Sequence, residues 1–243
     1  MKKSLSLMLI LSALLLAKPP FKLYESQRIT AHVVDPHKST LQLFLKDDKG
    51  NIFKSFANLK DWLAGQNKEL VFAMNGGMYM ENSMPLGLYV EKGKVIRKTN
   101  RVQHAYGNFY MQPNGVFFIT KKRNAYIKPS SKFHFKKYVD YATQSGPMLL
   151  INGKIHPKFR KGSKNVNIRN GVGILPDGRV LFAISKGFIT FYDFAMFFKK
   201  NGCKNALYFD GVISRIYLPP EYTSFPYSRF GVIVGEVKPK VVK

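Results

Sequence analysis

The chain has 243 residues, 45% hydrophobic and 14% aromatic, with 39 Lys and Arg against 14 Asp and Glu, for a formal charge of +25. This length and apolar content support one sizeable folded domain and exclude a disordered chain, and the single Cys203 excludes an internal disulfide framework. Such a basic field draws anions (nucleic acid, anionic lipid or an acidic envelope polymer), although a solvated Lys-rich surface accounts for the same count.

Residues 1–17 read as a secretory signal. Lys2 and Lys3 form a basic start, an apolar run covers 5–16, and Ala17 is a candidate cleavage point. The run is shorter than the ~20 residues of a membrane span, which disfavours the alternative of an uncleaved anchor. The expected location is therefore exported, periplasmic or secreted. Export sets nucleic acid aside and leaves an anionic glycan as the expected partner, with peripheral contact to an anionic membrane surface. No linker or repeat divides residues 24–237, so one domain is expected, followed by a basic tail at 238–243.

In chain order, residues 29–34 and 41–45 alternate as strands and stop at turn signals, Asp35-Pro36 and 47–51. Residues 57–64 suggest a short helix packing Leu59, Trp62 and Leu63. Residues 70–74 form a continuous apolar run of buried-strand type that stops at Asn75-Gly76-Gly77. Residues 86–90 and 95–97 make a hairpin, and 108–111 are expected to pair with 116–120 across Pro113-Asn114-Gly115. Apolar segments 138–143 and 148–151 flank Ser145-Gly146-Pro147. Residues 171–175 and 179–185 form another hairpin.

One helix is well marked. Thr190 and Asp193 make a capping box, Phe191, Phe194, Ala195 and Phe198 form a buried stripe, Lys199 and Lys200 complement the dipole, and Gly202 ends it. Cys203, with no His near it in sequence, reads as a structural thiol. The helix leads into the apolar run 206–209, which closes on Asp210 and Gly211. The pattern as a whole predicts an α+β fold: a single sheet-dominated domain with mixed strands, many hairpins and few helices.

Four clusters differ from ordinary turns. Paired glycines after Asn75 let a ligand approach backbone amides, although a tight turn explains them too. Ser145-Gly146-Pro147 is a constrained turn that aims a hydroxyl or simply reverses the chain. Arg169 enters a buried strand, which is costly unless it meets a carboxylate or a ligand anion. Asp210 is a carboxylate at the end of a buried run. The five His show no metal-ligand spacing, so neither metal nor cofactor is predicted.

Taken in order, Asn75-Gly76-Gly77-Met78-Tyr79, Ser145-Gly146-Pro147, Arg169-Asn170-Gly171-Val172-Gly173 and Asp210-Gly211-Val212-Ile213-Ser214 resemble the motifs of the phosphodiester glycosidase family over roughly residues 70–217. Val212 and Ile213 stand where the family has glycines. The resemblance implies an exported hydrolase that cleaves the glycosidic C–O bond of a sugar-1-phosphodiester, with an anionic sugar-phosphate or envelope glycopolymer as substrate. It implies Asp210 as base or oxocarbenium stabiliser, and Arg169 as phosphodiester ligand with help from amides near Gly76 and Gly146. Asn75 and Ser214 would orient substrate or Asp210, and Gly77, Ser145 and Gly211 would line the substrate site. Glu81 and Asp193 are candidates for a second acid by position alone. Two other readings stay open: a non-catalytic module binding anionic glycan or envelope, and a Ser145-dependent esterase.

Overall fold

The structure, a computed structural model, describes residues 23–210, 213–221 and 229–240. The expected signal segment, Gly211, Val212 and the end of the basic tail lie outside these residues. The elements run β1 (Ile29–Val34), β2 (Thr40–Phe44), α1 (Phe56–Ala64), β3 (Lys68–Asn75), β4 (Tyr89–Glu91), β5 (Lys94–Arg97), β6 (Gly115–Thr120), β7 (Ala125–Pro129) and β8 (Val139–Ser145). They continue with β9 (Met148–Ile151), β10 (Lys154–Ile155), β11 (Val166–Asn167), β12 (Asn170–Ile174), β13 (Val180–Ser185), β14 (Ile189–Thr190), α2 (Phe191–Lys200), β15 (Ala206–Asp210), β16 (Ile216–Tyr217) and β17 (Ile233–Pro239).

Three larger sheets have the orders β1-β13-β12-β15-β9-β10, β16-β3-β17-β2 and β5-β4-β8-β6-β7, and β11 pairs with β14. The α+β, sheet-dominated expectation holds. The strand pairs run antiparallel where mixed directions were expected.

All three sheets face one core. Phe72 and Met74 of β3, Phe117 of β6, Tyr141 of β8, and Leu207 and Phe209 of β15 belong to a single buried cluster. The period-2 alternation of β15 sends Leu207 and Phe209 into this core and Ala206 and Tyr208 to the opposite face, under α2. Helix α2 forms as its caps dictate: Thr190 Oγ1 accepts from Asp193 N, and Lys199 and Lys200 occupy the last turn. Phe194 and Phe198 of its apolar stripe are fully buried. Cys203 is buried behind it, and burial pushes its thiol up to about 12, as suits an inert packing residue. Helix α1 covers β3 and β17 with Leu59 and Leu63, while Trp62 packs at the margin and donates to Asp48 Oδ2 at 2.9 Å.

Two connections differ from expectation. Residues 108–110 form a single 3-10 turn instead of a strand, closed by Met111 N donating to Asn108 O at 3.2 Å, and β6 pairs with β7 and β8. Phe109 supplies the reason: it is a buried wedge whose carbonyl accepts from Asn114 Nδ2 at 2.9 Å. The segments flanking Ser145-Gly146-Pro147 belong to different sheets, so this motif carries the chain from one sheet to the next. No helix among the described residues is long and apolar enough to cross a membrane.

Candidate active site

Three strand termini meet where the sheets adjoin. Asn75 ends β3, Asp210 ends β15, and Asn170 begins β12 beside it, with Asn170 and Asp210 opposite each other in the ladder. Asn75 Nδ2 donates to Asp210 Oδ2 at 3.2 Å. Asn75 Oδ1 accepts from Asn170 Nδ2 at 2.8 Å and from the Arg215 backbone N–H at 2.9 Å. Two donors on that oxygen leave the amide one orientation, with its N–H toward the carboxylate. Asn170 Nδ2 also donates to Asn75 O at 2.9 Å, and its Oδ1 accepts from Asp210 N at 2.9 Å. Asn75 and Asn170 are fully buried and Asp210 is half-buried, so an aligned carboxylate reaches the surface from a satisfied polar network.

Ser214 belongs to this network: its hydroxyl donates to the carbonyl of Asp210 at 2.8 Å. Tyr79 and Tyr208 lie within the field of Asp210. Burial, followed by the charge of Asp210, raises Tyr79 to about 12. Burial also pushes the Tyr208 phenol up, Arg169 acts against that, and Asp210 adds to it.

Arg169 is brought near this cluster but not into the open. Its guanidinium is fully buried on the α2 side, stacked 3.5 Å over the Phe191 ring. Nε donates to Ile189 O at 3.0 Å, Nη2 to Asn165 O at 3.1 Å and Asn165 Oδ1 at 2.6 Å, and Nη1 to Tyr208 Oη at 3.4 Å. Every partner is neutral, so the structural Arg–Asp pair considered from sequence is not what holds it. Burial pulls the guanidinium below its ordinary value, with Tyr208 acting the other way. In this arrangement the guanidinium is shut away from solvent behind Tyr208, which is itself fully buried, so Arg169 has no open face toward the surface.

The glycine and serine positions divide. Gly76 N donates to Val232 O at 2.8 Å and Gly76 O accepts from Thr143 Oγ1, so its amide is not free for an anion as expected. Gly77 has φ 145° and presses on Thr143, a conformation and a contact that suit glycine. Gly146 abuts Asn114, 2.5 Å from where a Cβ would sit. Ser145 is fully buried and donates to Phe209 O at 2.9 Å. That bond anchors β15 one residue before Asp210 and leaves the hydroxyl no approach to a substrate, against the esterase reading. Glu81 is exposed on a turn and Asp193 accepts from Thr190 Oγ1 as a helix cap at 2.9 Å. Gly211 lies outside the described residues.

Sequence reasoning named Asn170 only as a spacer in the Arg169 motif, and missed Tyr208. The signal for Asn170 was a polar side chain at the first position of a buried strand, where an unpaired amide is costly. Tyr208 carried a weaker signal, a phenol inside an apolar run.

The chain has relatives in sequence and in fold. The uncharacterized protein YigE of Escherichia coli K12 is 34% identical over 205 residues, which cover 83% of this chain and 78% of that one. The catalytic domain of zebrafish N-acetylglucosamine-1-phosphodiester alpha-N-acetylglucosaminidase, auto-inhibited by its pro-peptide, shares the fold with a TM-score of 0.57 and 15% identity, over 86% of this chain and 83% of that one. A protein from Synechocystis overlays with a TM-score of 0.52 and 13% identity, over 88% of this chain and 60% of its own. The sequence profile of the phosphodiester glycosidase family matches residues 68–218, a span that holds Asn75, Ser145, Arg169, Asn170 and Asp210, and the chain belongs to that family.

Proposed function

We propose that the protein is an exported hydrolase that cleaves the glycosidic C–O bond of a sugar-1-phosphodiester in anionic cell-envelope glycans. The observation that carries this reading is the single oriented carboxylate, Asp210, fixed by Asn75 at its side chain and by Asn170 at its backbone. Most glycosidases use two carboxylates because a sugar alkoxide needs a proton to leave. A phosphomonoester, with its second pKa at about 6, leaves without one. One carboxylate is then enough. The C1–O bond breaks and its electron pair leaves on the phosphate oxygen. A water oxygen bonds to C1, and Asp210 takes the water's proton and passes it to solvent. Before that step the same carboxylate stabilises positive charge developing at C1. Arg169, buried behind Tyr208, supplies positive potential that favours the charge growing on the phosphate. The formal charge of +25 favours an anionic polymer and supports the envelope assignment.

Turnover of a hexosamine 1-phosphodiester in heavy-oxygen water tests the reaction. The label is expected on the sugar hydroxyl, with none in the phosphomonoester. Label in the phosphate would mean P–O cleavage and overturn the glycosidase reading. Polymer binding with no release from any sugar 1-phosphodiester would make the protein a binding module.

A further inference from the structure

Away from Asp210, β7 forms the edge of the five-stranded sheet. Its alternation sends Ala125 and Ile127 into the core and leaves Tyr126 and Lys128 exposed on the outer face. Tyr126 stands opposite Phe118 of β6, the rings stacked with centroids 5.3 Å apart, and Lys128 Nζ lies 5.9 Å from the Phe118 centroid. Tyr138, 52% exposed, faces the same groove, which has a volume of about 470 Å³. Lys122 and Asn124 complete the part of the lining that matters here, and no acid is in it.

An exposed edge carrying lysines is by itself a common guard against strand pairing. That role does not call for two tyrosines around one groove. Phenol faces stack on the C–H faces of sugars, and ammonium groups on flexible stems meet phosphate oxygens. Tyr126 and Lys128 are two residues apart on one strand, about 7 Å, the span of a pyranose ring and the phosphate attached to it. Groove volume, platform and charge sign therefore fit one ligand chemistry.

We propose that this groove is a second, non-catalytic glycan site that takes a sugar-phosphate segment of the polymer, sugar on the tyrosines and phosphate on Lys122 and Lys128. The identity of the polymer rests on the function proposed above; the groove does not. It would hold a long substrate on the enzyme between cleavage events.

The test is calorimetric binding of soluble poly(hexosamine 1-phosphate) to an Asp210→Asn protein, so that no cleavage intervenes. Tyr126→Ala with Tyr138→Ala should weaken binding about tenfold, and Lys122→Gln with Lys128→Gln should do the same. With Asp210 restored, both double variants should keep wild-type turnover of a short soluble sugar 1-phosphodiester. Circular dichroism checks that they fold, and Tyr126→Ser replaces any alanine variant that does not. Unchanged polymer affinity in the tyrosine pair overturns the proposal. So does an equal affinity of wild type and tyrosine variant for both the polymer and sugar-free polyphosphate, which would leave a charged surface only. Because binding is read without catalysis, failure of the proposed reaction would leave this result standing.

Discussion

Asn75 Nδ2 donates to Asp210 Oδ2 across 3.2 Å, joining the last residue of a strand in one sheet to the last residue of a strand in another. The bond aims the carboxylate and makes its position depend on how two sheets seat against each other. Asp210→Asn should lower turnover by about 10²–10⁴-fold, the range of a positioned general base, with an unchanged circular dichroism spectrum. Asn75→Ala should lower kcat more than it changes KM, because the carboxylate remains but loses its aim. Wild-type kcat in Asn75→Ala would remove the orienting role.

Asn170→Ala deletes the side chain that joins Asn75 to Asp210. It leaves the buried Asn75 carbonyl and the Asp210 N–H without their partners. The expected loss is about 1–3 kcal/mol of unfolding free energy, read from urea denaturation, together with loss of turnover. A stability loss with full activity would make Asn170 a fold residue alone.

Arg169 separates charge from packing. Arg169→Met keeps an apolar stem against Phe191 but leaves Ile189 O and Asn165 without their donor, at a cost of about 1–3 kcal/mol. The variant should fold, while kcat on a phosphodiester falls by about 10²–10³-fold, as for loss of one electrostatic donor. On an aryl glycoside without phosphate the fall should be much smaller. Equal losses on both substrates would assign Arg169 to holding Tyr208 in place.

The acid limb of stability has a named contributor. Glu236 of β17 accepts from His32 of β1 at 2.7 Å, and the imidazole stacks on Phe72. Burial pushes the Glu236 carboxyl up, but hydrogen bonds from His32 and Ser39 outweigh it and hold the group below its ordinary range. A depressed carboxyl contributes stability that is fully present above the unfolded value of about 4.3 and is lost as pH falls through the folded value. Glu236→Gln should lower the thermal midpoint at neutral pH, with the difference shrinking as pH falls below the unfolded value of about 4.3. A constant offset at all pH values would argue against the linkage.

At Gly171 the carbonyl of Leu207 on the neighbouring strand lies 2.6 Å from the position a Cβ would take. Gly171→Ala must push β12 from β15 beside Asn170 and Asp210. A cost of about 1–3 kcal/mol and a drop in kcat are expected together; a stable variant with normal kcat would show that the ladder absorbs the methyl group.

Much of this arrangement was legible before any coordinates. The runs at 70–74 and 206–209 read as buried strands, and each ended on the polar residue that now faces the other. The capping residues Thr190 and Asp193 placed α2 closely. The direction of Arg169 was not legible. Arg169 comes just before the first residue of β12, and which of Arg169 and Asn170 met Asp210 depended on the register of β12 against β15, which shifts between Asn170 and Gly171. Ser145-Gly146-Pro147 looked like a turn because a turn and a passage between sheets use the same residues. Residues 108–111 alternate well enough for a strand, and only the burial of Phe109 beside Gly146 explains why they coil.

Asn75 and Asp210 are 135 positions apart in the chain, and Asn75 and Asn170 are 95 apart. Contacts of such separation require large loops to close before any of them is rewarded, and antiparallel topologies of this kind find them slowly. Hairpins such as β6–β7 and β12–β13 need only short excursions and can form early. Assembly of the Asn75–Asn170–Asp210 network is thus a late event in the folding of the chain. A nascent or partly unfolded molecule carries much of its local structure while the site is still unassembled, so on the function proposed above turnover would report completed folding more stringently than a secondary-structure signal does.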